Sequence, residues 1–563
     1  MKRSEFLSAV SAPFLCASAL RGNTAVDADV VIYGGNPGGL AAARAVVREG
    51  GTAIVIEPST HIGGMVTGGI AVTDTGTPHL IGGISSEFFD EVAAERRKSH
   101  PAPPKPILRF RGRQMEWRAP RIWDLEPHTA RIVFERWVQK DGYRLLTSKR
   151  VSRVTKRDGR IASIRLTDGT AVSAKVFIDA SYEGDLIAMA GIPCRHGRES
   201  RDEYKEPLAG VREPHFKGNY NEEVYRTPGL EYMHHGQFGA DIQGRDAGGK
   251  LLWGIEPGNL SAEGSADKKI QAYCFRLVAT QRDDLKVPWP RPRRYRPERY
   301  ELLLRYVQAH PDIAFARLVH LGAIPNGKFD LNASGPFSID YVGGNRQYPD
   351  GNYATRDRIY QDHEDYQKGF LWFLAQDQRV PKAIRDDVNS WGLSKDEFTD
   401  TANWPAQLYT RESRRLIGEH VMTERDILQD KVKADSVGMG SFVLDSHWVQ
   451  RVEDRRGFVR IEGHLDESIR LENAPYEIPY RSLTPRLEDC RNLLSPVCVS
   501  ATHVAICTIR MEPVYMVLGH SAGVAAMMAA RSGKPVQEID TQSLMRRLSE
   551  QGQVLHREQA RKL

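Results

Sequence analysis

Cysteine is scarce in this chain. There are six in 563 residues: Cys16, Cys194, Cys274, Cys490, Cys498 and Cys507. No pair stands as C-x-x-C, so the spacing of zinc and iron–sulfur ligand sets is missing and no metal site is expected. Cys16 falls in a segment read below as cleaved. The remaining five are odd in number and scattered, which is no disulfide framework, and each reads as a small buried hydrophobe. A dense basic block is absent too. Lys and Arg total 78 against 72 Asp and Glu, a net charge of +6, and without a concentrated basic footprint nucleic acid is not expected as a partner. Internal repeats and low-complexity tracts are missing. With 40% hydrophobic and 27% charged residues, fibrous and disordered classes are excluded. No apolar run of transmembrane length escapes polar interruption. Val514–Ala530 comes closest, but it carries Gly519, His520, Ser521 and Gly523, which suit a buried core helix better than a lipid-facing one.

What is present begins with length. At roughly 150 residues per domain the chain holds three or four folding units, and it buries roughly three quarters of its unfolded surface without staples. Lys2 and Arg3, the apolar stretch Phe6–Leu15 and the small-residue site Ala17-Ser18-Ala19 have the layout of an export signal over residues 1–19. Lys-Arg-Ser-Glu-Phe-Leu also resembles a twin-arginine signal with Lys2 in place of the first arginine. The expected location is periplasmic or secreted after signal removal, and cytoplasmic if the segment is not a signal.

Residues 29–57 form a strand, turn, helix and second strand. Val30 to Tyr33 is a short buried strand, Gly34-Gly35-Asn36-Pro37-Gly38-Gly39 a glycine-rich turn, Leu40 to Arg48 an Ala-rich helix, and Thr52 to Ile56 a second strand ending in Glu57. Gly34 permits the tight turn and Gly39 lets the helix approach the strand. The helix N-terminus presents N–H groups and a positive dipole end to a pyrophosphate. Glu57, 23 residues after Gly34, is placed to accept from ribose hydroxyls. The departure from G-x-G-x-x-G is Asn36, which leaves less room beside a phosphate than glycine does. With all its surrounding elements in place, the motif predicts dinucleotide binding.

A second glycine-rich loop, His61 to Gly69, contains Gly63, Gly64 and Met65 and allows backbone to approach a flat ring. Beyond it, Arg150 to Lys156, Ile161 to Leu166 and Ala171 to Ala174 read as a three-stranded meander broken by Asp158-Gly159 and Asp168-Gly169-Thr170. Val176 to Ala180 reads as a further buried strand, followed by Ser181-Tyr182-Glu183-Gly184-Asp185. A meander after a dinucleotide unit is the layout of an FAD-binding domain rather than of an NAD dehydrogenase.

The segments YGGNPGGLAAA, IEPSTHIGGMVTGG, FIDASYEGDL, QLYTRESRRLIGEHVMTE and RMEPVYMVLGHSAGVAA together resemble the FAD-dependent oxidoreductase family related to the flavoprotein component of heterodisulfide reductase, over roughly residues 28–535. The resemblance implies a non-covalent FAD in a glutathione-reductase-like α/β Rossmann fold with a large inserted α+β substrate domain. The iron–sulfur motifs of the reductase branch are missing, so its clusters and activity are not carried over. The expected division is 1–19 signal, 27–195 first FAD-binding part, 196–440 substrate or cap domain, 441–540 second FAD-binding part and 541–563 tail. Cofactor contacts are expected from Gly34 to Gly39, Glu57, Gly63 to Met65, Ala180, Gly184, Asp185 and Glu512. Contacts from Gly519, His520, Ser521, Ala522 and Gly523 are also expected, within or at a break in the helix that begins near Val514.

The middle is rich in Tyr, Trp, Asp, Asn and Pro, and ligands bind at domain interfaces. Its candidate segments are Tyr273-Cys274-Phe275-Arg276, Asn326 to Asp330 and Asp340 to Asn345. Arg411, Glu412, Arg414 and Arg415 read as salt-bridged on a helix from Gln407 to Gly418. For flavin oxidation of a C–H that carries O–H or N–H, a base must take the heteroatom proton. His503 is the first candidate, His447 the second and His520 the third. Arg510 and Glu512 read as an ion pair supporting the ring or the helix. With no second dinucleotide fingerprint, electrons are expected to leave to oxygen, a quinone or a protein carrier. Three readings stay open: an exported dehydrogenase or oxidase of a small polar organic substrate such as a sugar derivative, a redox-neutral flavin-dependent lyase or isomerase, and a non-catalytic FAD-binding protein.

Overall fold

The computed structural model of the chain describes residues 26–99, 107–110, 113–116, 123–212, 240–465 and 475–560. The export-signal reading of residues 1–19, with Cys16, lies outside the described residues.

The glycine motif folds as its pattern predicts: strand β1 (Val26–Tyr33), helix α1 (Pro37–Arg48) and strand β2 (Ala53–Glu57). The second glycine loop forms one short helix, α2 (Gly64–Gly68). Then come β3 (Arg144–Thr147), β4 (Val151–Arg157), β5 (Arg160–Leu166) and β6 (Ala171–Asp179). The middle supplies β7 (Leu277–Thr280), β8 (Lys286–Val287), β9 (Val319–Ile324), β10 (Lys328–Ala333), the long helix α3 (Tyr353–Gln376) and β11 (Gly392–Ser394). Near the end lie β12 (Leu493–Leu494) and helix α4 (Glu512–Ser532).

The first sheet runs β3-β2-β1-β6-β5-β4, with β12 also on β6. β1 pairs in parallel with β2 (Val30 opposite Ala53) and with β6 (Val30 opposite Val176). Residues 171–174 and 176–179 are one strand rather than two. The first half of β6 closes the antiparallel meander (Ile164 opposite Val172), while its second half takes the returning strand in parallel (Leu493 opposite Phe177). A nine-residue strand therefore serves both the meander and the parallel sheet. The second sheet is antiparallel, in the order β8-β11-β7-β10-β9. One apolar core runs through both regions, from Val30 and Leu40 through Leu277 and Phe370 to Val517. The other face of the first sheet packs Val31, Tyr33, Ile54 and Phe177 against Leu186 and Leu493. The five described cysteines are free thiols, four buried and Cys194 half-buried.

One sequence expectation fails here. Residues 407–418 are not helical: the chain there is extended and contributes only a two-residue strand, Arg415–Leu416, paired with Cys194–Arg195. Thr410, Arg411, Glu412, Ser413 and Arg415 are all buried. A surface helix would leave one face wet, so the alternation of Arg and Glu records buried ion pairs instead. Gly519 to Gly523, read as within or at a break in a helix, lie in the uninterrupted middle of α4. α4 is long and apolar enough to cross a membrane, yet it is packed inside the protein. A Cβ on Gly519 would lie 2.0 Å from Gly38 O, and one on Gly523 2.5 Å from Ala42 O. These glycines are a notch that lets α4 cross α1 closely. His520 faces Gln551, its Nε2 2.8 Å from the amide oxygen, and burial pulls its pKa down to about 4, so it stays neutral. The Ser521 hydroxyl bonds Val437 O at 2.8 Å. Gly519→Ala should therefore act on stability. Backbone would have to move, at a cost of about 3 kcal/mol, and thermal melting should show a fall in Tm of several degrees. An unchanged Tm would refute the notch.

Candidate functional site

A cavity of about 440 Å³ opens at the C-terminal ends of β1 and β2, where ligands of parallel α/β sheets bind. Gly34, Asn36, Glu57 and Gly64 form one side, Tyr348, Tyr353 and Arg356 the other. Gly34 has φ +111°, and a Cβ there would lie 2.7 Å from the backbone of Ala180 and Ser181. At Gly39 a Cβ would lie 1.9 Å from Gly34 O. Asn36 caps α1: its Oδ1 accepts from Gly39 N at 3.0 Å and its Nδ2 donates to Ala180 O at 2.5 Å. Its side chain is thus tied back into the turn, which accounts for the departure from the glycine fingerprint. Glu57 accepts from Gly35 N and Ser59 N, both at 2.7 Å, and burial raises its pKa.

Ala180 packs against Gly34 of the turn, and Asp185 lines the cavity. Gly184, with φ +69°, starts a short helix at Asp185. Asp185 accepts from Arg356 Nη1 at 2.9 Å and from Arg414 Nη1 at 3.1 Å. Glu183 accepts from Tyr348 Oη at 2.9 Å, and burial, opposed by Arg356, pushes its pKa up to about 7. Tyr33 and Tyr353 bring their hydroxyls within 3.3 Å. Sequence reasoning missed Tyr348, Tyr353 and Arg356, which lie more than 160 residues from Asp185 in the chain and carry no motif of their own.

One phenol joins three expected segments. Met65 N donates to Tyr182 Oη at 3.1 Å, and Tyr182 Oη donates to Glu512 Oε1 at 2.8 Å. The second glycine loop, the turn after β6 and the start of α4 therefore meet at the inner end of the cavity. A Cβ on Gly64 would lie 2.4 Å from that hydroxyl. Glu512 Oε2 is buried without a hydrogen-bond partner, and burial pushes the carboxyl pKa up to about 8. A carboxyl whose pKa is higher folded than unfolded stabilises the fold below its unfolded value, near 4.5, and that contribution is lost as pH rises through about 8. Stability should thus fall between pH 6 and pH 9, and Glu512→Gln should flatten that slope. Denaturant unfolding at the two pH values checks this, and an equal slope in the variant would refute it.

Deeper lies a buried cluster of charged groups. Arg510 donates to Tyr409 Oη at 2.7 Å and to Asp445 Oδ2 at 2.8 Å. Burial works to lower its pKa, yet Tyr409 and Asp445 hold it above the ordinary arginine value. His447 Nδ1 lies 2.7 Å from Asp340 Oδ2, and its Nε2 3.8 Å from Asp445 Oδ1. Arg411 Nη1 is 2.9 Å from the other Asp340 oxygen, and its guanidinium stacks on Tyr409. Tyr409 follows Leu408, which lines the cavity. Half-buried Asp74, which the sequence did not single out, has its pKa pushed up to about 6 by burial and Asp445, against Arg276 and Arg510. Arg276 in turn pairs with Asp330 at 2.7 Å, and Asp330 also accepts from Ala71 N at 2.7 Å. The three middle segments chosen from sequence therefore do converge. Arg510 and Glu512 do not pair with each other, because each has its own partner.

His503 sits apart. Its Nδ1 is 3.0 Å from Glu412, which also takes Arg415 at 3.0 Å, and its backbone N–H donates to Glu199. Burial works to raise the pKa of Glu412, but His503 and Arg415 hold it at about 2. Gln271 bridges the two clusters: its N–H donates to Glu412 and its Oε1 accepts from His447 N at 3.0 Å. Glu126, His128 and Glu397 bring donor atoms together at metal-ligand spacing. Lys328 Nζ already stands among them, 2.5 Å from Glu126 and 2.6 Å from Glu397, so a cation is built in.

The residues fit FAD on two structural grounds. The cradle of Gly34 and Gly64 is one that a Cβ would fill, and an unpartnered carboxyl oxygen on Glu512 closes the inner end. Glu57 and the α1 N-terminus would hold the ribose and pyrophosphate.

No curated protein matches the sequence. Among solved structures, the flavin-dependent brominase Bmp2 is 18% identical, with 31% of this chain and 42% of that one covered and a TM-score of 0.22. An anhydrotetracycline hydroxylase, OxyS, from Streptomyces rimosus is 15% identical (34% and 41% covered, TM-score 0.23). An L-amino acid deaminase from Proteus vulgaris is 17% identical (32% and 54% covered, TM-score 0.23). The chain thus spans about half the length of these structures. The profile of the FAD dependent oxidoreductase family matches residues 29–548. The chain therefore belongs to the FAD dependent oxidoreductase family.

Proposed function

We propose that the protein is an exported dehydrogenase or oxidase that removes a hydride from a small polar organic substrate, drawn from the sugars, amines and hydroxy acids. In this reading the fold is glutathione-reductase-like, and the second sheet belongs to an inserted substrate domain. The observation that carries the reading is the buried His447–Asp340 pair at 2.7 Å, set behind the cavity wall with Arg510 and Tyr409. FAD, when bound, supplies the two-electron acceptor.

The chain's own residues handle the proton and the charge. A carboxylate on Nδ1 of a histidine fixes the tautomer in which Nδ1–H donates, so Nε2 is the basic nitrogen. Arg411 balances the Asp340 charge at 2.9 Å. His447 Nε2 would take the proton of the substrate O–H or N–H as the C–H electron pair departs, and the substrate leaves with a C=O or C=N bond. Arg510 places a fixed positive charge beside Tyr409.

Anaerobic addition of a panel of sugars, amines and hydroxy acids to the FAD-loaded protein tests the reading. Bleaching of the flavin absorbance by at least one compound is expected. A flavin that dithionite reduces but no panel compound does would count against it, and turnover without net bleaching would favour a redox-neutral enzyme. For export, the purified periplasmic or secreted protein should begin just after Ala19.

A further inference from the structure

The geometry points to a second ligand site, an oxyanion-binding cleft on the opposite side of α3 from the flavin cavity. The cleft has a volume of about 720 Å³. Arg358 and Asp362 of α3 face it, whereas Tyr353 and Arg356 of the same helix face the flavin cavity. The wall between Tyr341 and Gln347 is shared in the same way, because Tyr348 turns to the flavin side. The two spaces are separate, and neither the FAD fit nor the proposed hydride transfer uses the cleft.

Five arginines line it: Arg294, Arg296, Arg299, Arg346 and Arg358. Among the described residues two acids line the cleft with them, and both have partners. Asp362 accepts from Arg299 Nη2 at 2.6 Å and from Tyr341 Oη at 2.9 Å. Asp365 accepts from Arg294 N at 3.2 Å. Arg346 pairs with Glu256 and donates to Val449 O at 3.2 Å. Arg294, Arg296 and Arg358 are exposed at the rim.

Arg299 distinguishes this cleft from a merely basic surface. It is 6% exposed, and its Nε and Nη1 are buried with no hydrogen-bond partner. Its guanidinium is held over Trp253 at 5.0 Å and Tyr341 at 5.8 Å. Tyr341 stacks on Tyr366 at 4.5 Å, which fixes that floor. Buried N–H groups of a cation left without acceptors are costly. Nε and Nη1 open on different edges of the planar guanidinium, with the Asp362-bound Nη2 between them, so each offers a single charged N–H to one oxygen of a carboxylate, sulfate or phosphate. A buried cationic donor without an acceptor, an aromatic floor and an excess of positive charge together define a site for a small molecule bearing such a group.

Calorimetric titration of the FAD-loaded protein with inorganic sulfate, inorganic phosphate and malonate, each separately, tests this. Loading with FAD keeps the pyrophosphate position filled. At least one anion should bind, and the preferred one tells a tetrahedral from a planar ligand group. Arg299→Gln should weaken binding about tenfold or more, with flavin absorbance retained. The double variant R296Q/R358Q changes only exposed rim residues and should weaken binding about threefold. If Arg299→Gln does not fold, the double variant decides. Failure of all three anions to bind, or binding unchanged in the variants that fold, would overturn the site.

Discussion

Alanine at Gly39 should leave a protein that no longer holds FAD. Its Cβ would lie 1.9 Å from Gly34 O and 3.2 Å from the Ala180 side chain. Neither neighbour has room to yield, because Gly34 N is tied to Ile56 O at 2.8 Å and Ala180 N to Tyr33 O at 2.8 Å. α1 must therefore tilt away from β1, carrying off both the capped N-terminus and the turn held by Glu57. If that displacement costs about 3 kcal/mol, FAD affinity falls about 100-fold. The effect should be graded. Gly38→Ala meets Tyr515 O at 3.0 Å and the Val497 side chain at 3.2 Å, and should lose less. Gly142→Ala, with nothing within 4 Å, should keep its flavin and show only the strain of φ +69°. Flavin absorbance after gel filtration and fluorescence titration of apoprotein read the series. Full flavin retention by Gly39→Ala would show that the turn does not hold the cofactor as described.

That series rests on residues readable from sequence, and the reason is distance. Gly34, Asn36, Gly39 and Glu57 span 24 residues, so a strand, a cap, a helix and a second strand specify one another locally. The meander was readable for the same reason, since its hairpins are closed by Asp158-Gly159 and Asp168-Gly169. Most of the remaining site is built by long-range pairs with no local signature. Arg356 reaches Asp185 across 171 positions, and His447 reaches Asp340 across 107. Arg411 to Arg415 misled because Arg and Glu three or four apart look alike on a wet helix and in a buried network. What separates the two is the environment: here Glu199, Asp340 and His503 come from elsewhere in the chain to partner them. Gly519 and Gly523 carry a similar ambiguity. Small residues that admit a neighbouring backbone read the same whether that backbone is a ligand's cradle or another helix.

Asparagine at His447 should lower kcat about 100- to 10,000-fold, the range of a removed general base, while the flavin stays bound. His447 is buried and pairs with Asp340, so the absorbance spectrum should match the parent. The replacement keeps a polar side chain for Asp340 but lacks the basic nitrogen opposite it. Asp340→Asn should act differently. It leaves the imidazole in place but removes the carboxylate that fixes its tautomer, and it leaves Arg411 facing a neutral amide. As a positioning residue, Asp340 should affect kcat more than KM. Flavin bleaching rates under anaerobic stopped flow, with whichever compound first reduces the parent, separate the two effects. A rate within about threefold of the parent for His447→Asn, with flavin bound, would remove the imidazole from the proton's path. Asp74 would then be the next group to replace. It lies beside Asp445 and Arg510, and its pKa, pushed up to about 6, lets it accept a proton near neutral pH.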